Sequence, residues 1–89
     1  MLKIKLHKQA VKFIDNLPQK QQRQIATALL SLQQNSQPQD SKKLQGYDYY
    51  RIDCGEYRII YSWDLEVVSV YIIGKRNDND VYRRLDRKF

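Results

Sequence analysis

One cysteine, one histidine, three glycines and two prolines are all that these 89 residues offer of the types that build disulfides, metal sites and abrupt turns. A lone cysteine excludes an internal disulfide and a thiolate metal cluster, and it fits a reducing cytosol. His7 has no second ligand to suggest metal binding, so a place at a helix start or on the surface is expected. No Ser-His-Asp arrangement can be built on it, and no cofactor motif occurs, so none is expected. The longest apolar runs are far shorter than a membrane span. Met1–Leu17 mixes lysines through its apolar residues, with no separate apolar block or small-residue cleavage site. No secretion signal is therefore read, and the expected location is cytoplasmic. The length suits one domain, 1–89, with a single modest core.

Acidic residues are also in deficit, 10 against 16 Lys and Arg, for a formal charge of +6. Such a protein is drawn to polyanions or to an acidic partner. The excess is uneven: up to Gly46 there are eight basic and two acidic residues, and from Tyr47 onward eight of each. The first half carries a diffuse lysine field, and the second a set of arginines at particular positions.

Aromatic and β-branched residues are plentiful in Tyr49–Arg76. Three consecutive strands are expected there, at Tyr49–Cys54, Tyr57–Ser62 and Val67–Ile73. In YYRIDCGEYRIIY, a two-residue turn at Gly55-Glu56 uses the positive φ open to glycine. It sets Cys54 against Tyr57, Asp53 against Arg58, Ile52 against Ile59, Arg51 against Ile60 and Tyr50 against Tyr61. Side chains alternate along a strand, so Tyr50, Ile52, Cys54, Tyr57, Ile59 and Tyr61 form a core-like face. Tyr49, Arg51, Asp53, Arg58 and Ile60 form the other.

Before this hairpin, Leu2, Ile4 and Leu6 alternate with Lys3 and Lys5, the pattern of a short edge strand. Ala10, Phe13, Ile14 and Leu17 then recur at helical spacing until Pro18. A second helix carries Ile25, Ala28 or Leu29, and Leu32. Gln33–Ser41 has no apolar residue and reads as loop, after which Leu44 covers one end of the core. Ser62–Glu66 is a turn with Trp63 over the hydrophobic edge, Gly74 ends the last strand, and Asp78 or Asn79 caps a helix holding Val81, Tyr82 and Leu85. The expected fold is α+β, in the order β-α-α-β-β-β-α: a small antiparallel sheet, an N-terminal helical hairpin on one face, a short C-terminal helix, and the other face partly bare.

Cys54 is expected to pack inward, without the basic neighbour that a nucleophile needs. The polar set left on the bare side is Arg51, Arg58, Arg76 and Tyr82, with Tyr49, Asp53 and Lys75 near it. Guanidinium forks match phosphate oxygens, and aromatic rings stack on unpaired bases. Such a set can bind single-stranded RNA, stabilise charge that develops on phosphate, or merely solubilise a sheet. Asp53 across from Arg58 predicts a cross-strand ion pair that positions Arg58 and offsets part of its field.

The segments KLQGYDYYRIDCGEYRIIY and VVSVYIIGKRNDNDVYRRL resemble the RelE/ParE superfamily of toxins from type II toxin–antitoxin pairs. The likeness is strongest at Leu44–Tyr50, Gly55–Tyr61 and Ile73–Tyr82. What the resemblance implies is a RelE-like toxin of the branch of ribosome-dependent endoribonucleases that cut messenger RNA by attack of the ribose 2′-hydroxyl, without a metal. It further implies that Arg58, Arg76 and Tyr82 are catalytic and matches Arg51 to a basic residue of the family that orients the RNA backbone; Tyr49 and Lys75, read beside them on the bare side, are expected to bind substrate. Asp53 is a possible modulator, since it replaces a second basic residue of the family pattern. The implied partners are a cognate antitoxin and the ribosome with its mRNA, with operator DNA contacted only through the antitoxin, and no membrane. A gyrase inhibitor of the ParE kind and an inactive antitoxin-binding co-repressor are the alternatives.

Overall fold

The computed structural model describes residues 1–77 and 80–88. Its elements are β1 (Lys3–Leu6), α1 (Lys8–Asp15), α2 (Gln19–Gln34), β2 (Lys42–Lys43), β3 (Tyr50–Cys54), β4 (Tyr57–Trp63), β5 (Val67–Lys75) and α3 (Asp80–Lys88). This is the expected order with one addition, the two-residue β2. The five strands form one sheet in the order β1-β5-β4-β3-β2.

The β3–β4 hairpin pairs in the register that the Gly55-Glu56 turn predicts, from Cys54 opposite Tyr57 to Tyr50 opposite Tyr61. Gly55 has φ +60°, which a side chain would strain. The sheet departs from all-antiparallel at one edge, where β1 runs parallel to β5, with Lys3 beside Val67 and Leu6 beside Val70. The helical hairpin and strands β2 to β4 all lie between the two in the chain, so the parallel pair needs no tight turn. Helix α2 also extends into the glutamines expected as loop, to Gln34. Glutamine is a good helix former, and the Gln33 side-chain amide donates to the Leu2 carbonyl at 2.7 Å, tying the helix end to β1.

The main core lies between the sheet and the α1–α2 hairpin. Ala10, Ile25, Leu29, Leu32, Tyr57, Ile59, Tyr61, Val68, Val70 and Ile73 are buried there, with Tyr50, Ile52 and Cys54 packed against them. This is the apolar face read from the strand period. Tyr61 is fully buried, and its hydroxyl donates to the Ser36 carbonyl at 2.7 Å, anchoring the chain after α2. Burial pushes the Tyr61 hydroxyl up to about 12.

The far face is less bare than the sequence suggests, because it carries a second core. Leu44, Ile60 and Ile72 are buried against Val81 and Leu85 of α3. A β-bulge makes this possible. Ile60 pairs with Ile72 but Tyr61 pairs with Val70, so Tyr71 is an extra residue in β5. The face of β5 therefore switches: Val68, Val70 and Ile73 enter the main core, whereas Tyr71 and Ile72 both join the second.

Nor does Gly74 end β5, which runs on to Lys75. At Gly74, α3 packs directly against the strand. A Cβ there would lie 2.6 Å from Val81 Cγ1 and 2.5 Å from an Arg84 guanidinium nitrogen. That guanidinium donates to the Ile73 carbonyl at 2.9 Å, a further tie between α3 and β5. The cap expected from Asp78 or Asn79 lies outside the described residues. No helix among the described residues is long and apolar enough to cross a membrane.

Candidate functional site

Asp53 and Arg58 face each other on β3 and β4. The Arg58 fork reaches back along the pair, with Nε donating to Asp53 Oδ1 at 2.8 Å and Nη2 to Oδ2 at 3.3 Å. Its remaining arm, Nη1, donates to the Tyr82 hydroxyl at 2.7 Å. The guanidinium carbon also lies 5.7 Å from the centre of the Tyr82 ring. Arg58 is thus held from both sides, by its strand partner and by α3.

Two more arginines address the same carboxylate. Arg51, two positions before Asp53 on the same face of β3, brings Nη1 to 4.0 Å from Oδ1. Arg76 follows β5 in a turn whose backbone N–H donates to the Glu56 carbonyl at 3.0 Å. This bond sets it beside the tip of the β3–β4 hairpin. The Asp53 carboxyl is held below its ordinary range, first by the Arg58 hydrogen bond, against the cost of burial, and then by the charges of Arg58, Arg51 and Arg76. The same hydrogen bond raises Arg58.

Five of the sequence-derived residues, Arg51, Asp53, Arg58, Arg76 and Tyr82, therefore gather at one end of the far face. Tyr49 shares the face but stands two positions before Arg51, just ahead of β3, against Tyr47 and Tyr71. Lys75 is placed elsewhere. It pairs with Tyr57 and so points to the α1 side, where it lines a cleft of about 400 Å³ with Phe13 and Tyr57. The bulge and the continuation past Gly74 fix that parity.

Sequence reasoning missed Lys42. It pairs directly with Arg51 across β2 and β3, which puts both cations on the same face. Like charges directly opposite are destabilising, and a bound anion removes that cost. A two-residue strand leaves no periodic signal by which to find it.

His7 stands at the start of α1, as expected, with its ring 4.5 Å from that of Tyr71. Cys54 is half-buried on the helix side, its thiol 3.5 Å from the Gln24 carbonyl, and burial raises it. Both facts disfavour a thiolate nucleophile. Among the described residues, no group of three or more His, Cys, Asp or Glu is placed to hold a metal ion.

The depressed acidity of Asp53 has a sign that can be checked. Its contribution to stability is fully present above the ordinary carboxylate value, about 4, and is lost as pH falls through the lower folded value. Asp53→Asn should cost about 1 kcal/mol at neutral pH, because the carboxylate is 35% exposed and water screens the pair. Thermal melts of the two proteins should converge as pH drops below about 4. A difference that persists unchanged to about pH 2 would assign the cost to packing instead.

Comparison with known proteins identifies the family and the fold. The family described as ParE toxin of type II toxin-antitoxin system, parDE, matches residues 4–80. The RelE chain of the archaeal RelE–RelB complex from Pyrococcus horikoshii is 30% identical, with a TM-score of 0.74 over 86% of this chain and 97% of that one. A mutant of Escherichia coli toxin RelE in the free state, with two arginines changed to alanine, is 23% identical. Its TM-score is 0.79 over 99% of this chain and 98% of that one, a likeness of fold. The toxin in the intact E. coli RelBE complex gives 24% identity and a TM-score of 0.73, over 86% of this chain and 99% of that one. No curated protein matches significantly by sequence. The order of elements, the two-sided sheet and these matches lead to one conclusion: this chain belongs to the RelE/ParE superfamily of type II toxin–antitoxin toxins.

Proposed function

We propose that this chain is an endoribonuclease of the RelE kind, which cuts messenger RNA in the decoding site of the ribosome. The observation that carries the reading is the convergence of Arg51, Arg58 and Arg76 on the Asp53 carboxylate, with the Tyr82 hydroxyl on the remaining arm of Arg58. A carboxylate that is hydrogen-bonded by one guanidinium, lies 4.0 Å from a second and feels the charge of a third marks a place where phosphate oxygens are also well received.

In the proposed reaction the ribose 2′-hydroxyl loses its proton and its oxygen attacks the adjoining phosphorus. The 5′-oxygen of the next nucleotide leaves and takes up a proton, giving a 2′,3′-cyclic phosphate and a 5′-hydroxyl end. Arg58 and Arg76 stabilise the extra negative charge on the phosphorane-like transition state. Arg51 and Lys42 hold the backbone, and Tyr82 stacks on a base or relays a proton. The ribosome supplies the alignment of the attacking oxygen, which accounts for a site with no evident acid and base pair.

For phosphate to enter, Asp53 has to yield part of its hold on Arg58. Asp53 is therefore a modulator that positions the arginine and competes with substrate. The partner proposed is an acidic antitoxin, in keeping with the formal charge of +6 and with the RelB partners of the similar chains. Such a chain folds on the toxin as it binds, and operator DNA is reached only through it. The setting of all these encounters is the cytoplasm.

In-vitro translation with mapping of mRNA ends tests the reading directly. New ends should appear within codons on added toxin and vanish on added antitoxin. The match to the family described as ParE toxin favours a second reading, a gyrase inhibitor. Damaged DNA with intact mRNA after expression would select it.

A further inference from the structure

Beside the arginine cluster, the far face carries a row of aromatic rings that runs across the strands. Tyr47 and Tyr49 stack with centres 6.0 Å apart and planes 16° from parallel. Tyr49 meets Tyr71 at 4.6 Å, and Tyr71 meets His7 at 4.5 Å. Tyr49 and Tyr71 belong to either side of β4, and they touch because Ser62, the β4 residue between them, is small. Its hydroxyl bonds to that of Tyr71 at 2.8 Å. The bulge is what turns Tyr71 to this face.

The surroundings of the row are polar and basic. Ser62 pairs with Ser69, and Ser69 with Lys5, so two hydroxyls and an ammonium follow one another on this face. Leu2, Ile4 and Leu6 enter the main core, which leaves Lys3 and Lys5 on the ring side, both exposed. At the other end the row adjoins Arg51 and Lys42. Burial and Lys5 push His7 below its usual value, so its ring is neutral at about pH 7. Burial, Tyr71 and Asp48 keep the Tyr49 hydroxyl protonated.

We infer that the row Tyr47, Tyr49, Tyr71 and His7, edged by Lys3, Lys5 and Lys42, is a stacking track that holds single-stranded RNA leading into the arginine cluster. Rings accept any unpaired base on their faces, whereas a duplex offers them none. The serine hydroxyls and flanking cations suit a sugar-phosphate backbone. They are a poor floor for the apolar anchor of a protein partner, which requires a dry pocket. The inference rests on the nuclease reading, since it assigns a path to that reaction's substrate.

A fluorescein-labelled 2′-O-methyl oligonucleotide of about ten residues is an uncleavable probe of the right kind. Its affinity should fall by about tenfold in His7→Ala and in Tyr71→Ser, and should be retained in Tyr71→Phe. His7 is half-buried and belongs to neither buried core, so H7A, checked by a thermal melt that matches the wild type, keeps the test readable even if Y71S does not fold. Tyr71→Trp adds a local reporter whose emission the probe should quench, while Trp63, on the helix side with Tyr50 and Tyr61, should not respond. Unchanged affinity in H7A together with unquenched emission from the indole introduced by Y71W overturns the track, including the case in which only a protein partner occupies the row. The two readings fail separately. Weakened probe binding without mRNA cleavage by the wild type keeps the track and ends the nuclease, whereas normal binding in every row variant beside active wild-type cleavage does the reverse.

Discussion

Arg58→Ala should lower the rate of mRNA cleavage on translating ribosomes by about a hundredfold to a thousandfold, the loss that follows removal of one preorganised transition-state donor. Arg58 is singled out because its side chain is 14% exposed and its orientation is fixed on both sides. Little reorganisation is left to be done when charge develops on the phosphate. Arg76, exposed on a turn, is less constrained, so Arg76→Ala should cost less, about tenfold to a hundredfold. Tyr82→Phe keeps the ring and removes the hydroxyl that accepts from Arg58. A large loss in Y82F points to the hydroxyl, and a small one to the ring. Mapped mRNA ends and single-turnover rates with the three variants would decide. If all three cut as the wild type does, the arginine cluster serves only solubility and ion pairing.

The second large effect concerns how α3 is seated. Leu85→Ala should destabilise the protein by about 2–5 kcal/mol, the range for deleting a fully buried leucine side chain. Gly74→Val should act on the same contact from the other side. The new side chain would meet Val81 and Arg84, and overpacking of this kind costs about 1–3 kcal/mol. The first change loosens the seat of α3 on the second core and the second pushes α3 off it, so both should release Tyr82 from Arg58 and lower cleavage by more than the loss of folded protein explains. Thermal melts paired with activity per folded molecule test this. A loss of stability with specific activity intact would show that Tyr82 need not be held by α3.

These expectations rest on features that were unequally legible in the amino-acid sequence. The β3–β4 register was open to reading because a two-residue glycine turn and a period-2 pattern each specify it, and a slip of one residue would send Ile52 and Ile59 to the wrong face. The opposition of Asp53 and Arg58 followed at once. The helix pair was equally plain, since Pro18 separates two stripes at helical spacing. The course of β5 was hidden. In VVSVYIIGK the apolar run is almost unbroken, so no alternation shows where the parity changes, and the bulge at Tyr71 is invisible. Without the bulge, neither the second core nor the true side of Lys75 can be worked out. Lys42 escaped for a related reason, since pairing with Arg51 comes from the path of a loop and not from any local preference.

By itself, then, the order of residues determined the two helices, the hairpin and the ion pair on it, because each depends on interactions among near neighbours in the chain. Only the folded chain decided that β1 lies parallel to β5, that α3 covers the far face and that Tyr82 meets Arg58. Those outcomes depend on which surfaces are left to be buried once the sheet has formed, and that is a property of the assembled sheet as a whole. The meeting of a side chain from β4 with one from α3, 24 positions apart, has no local signature to be read.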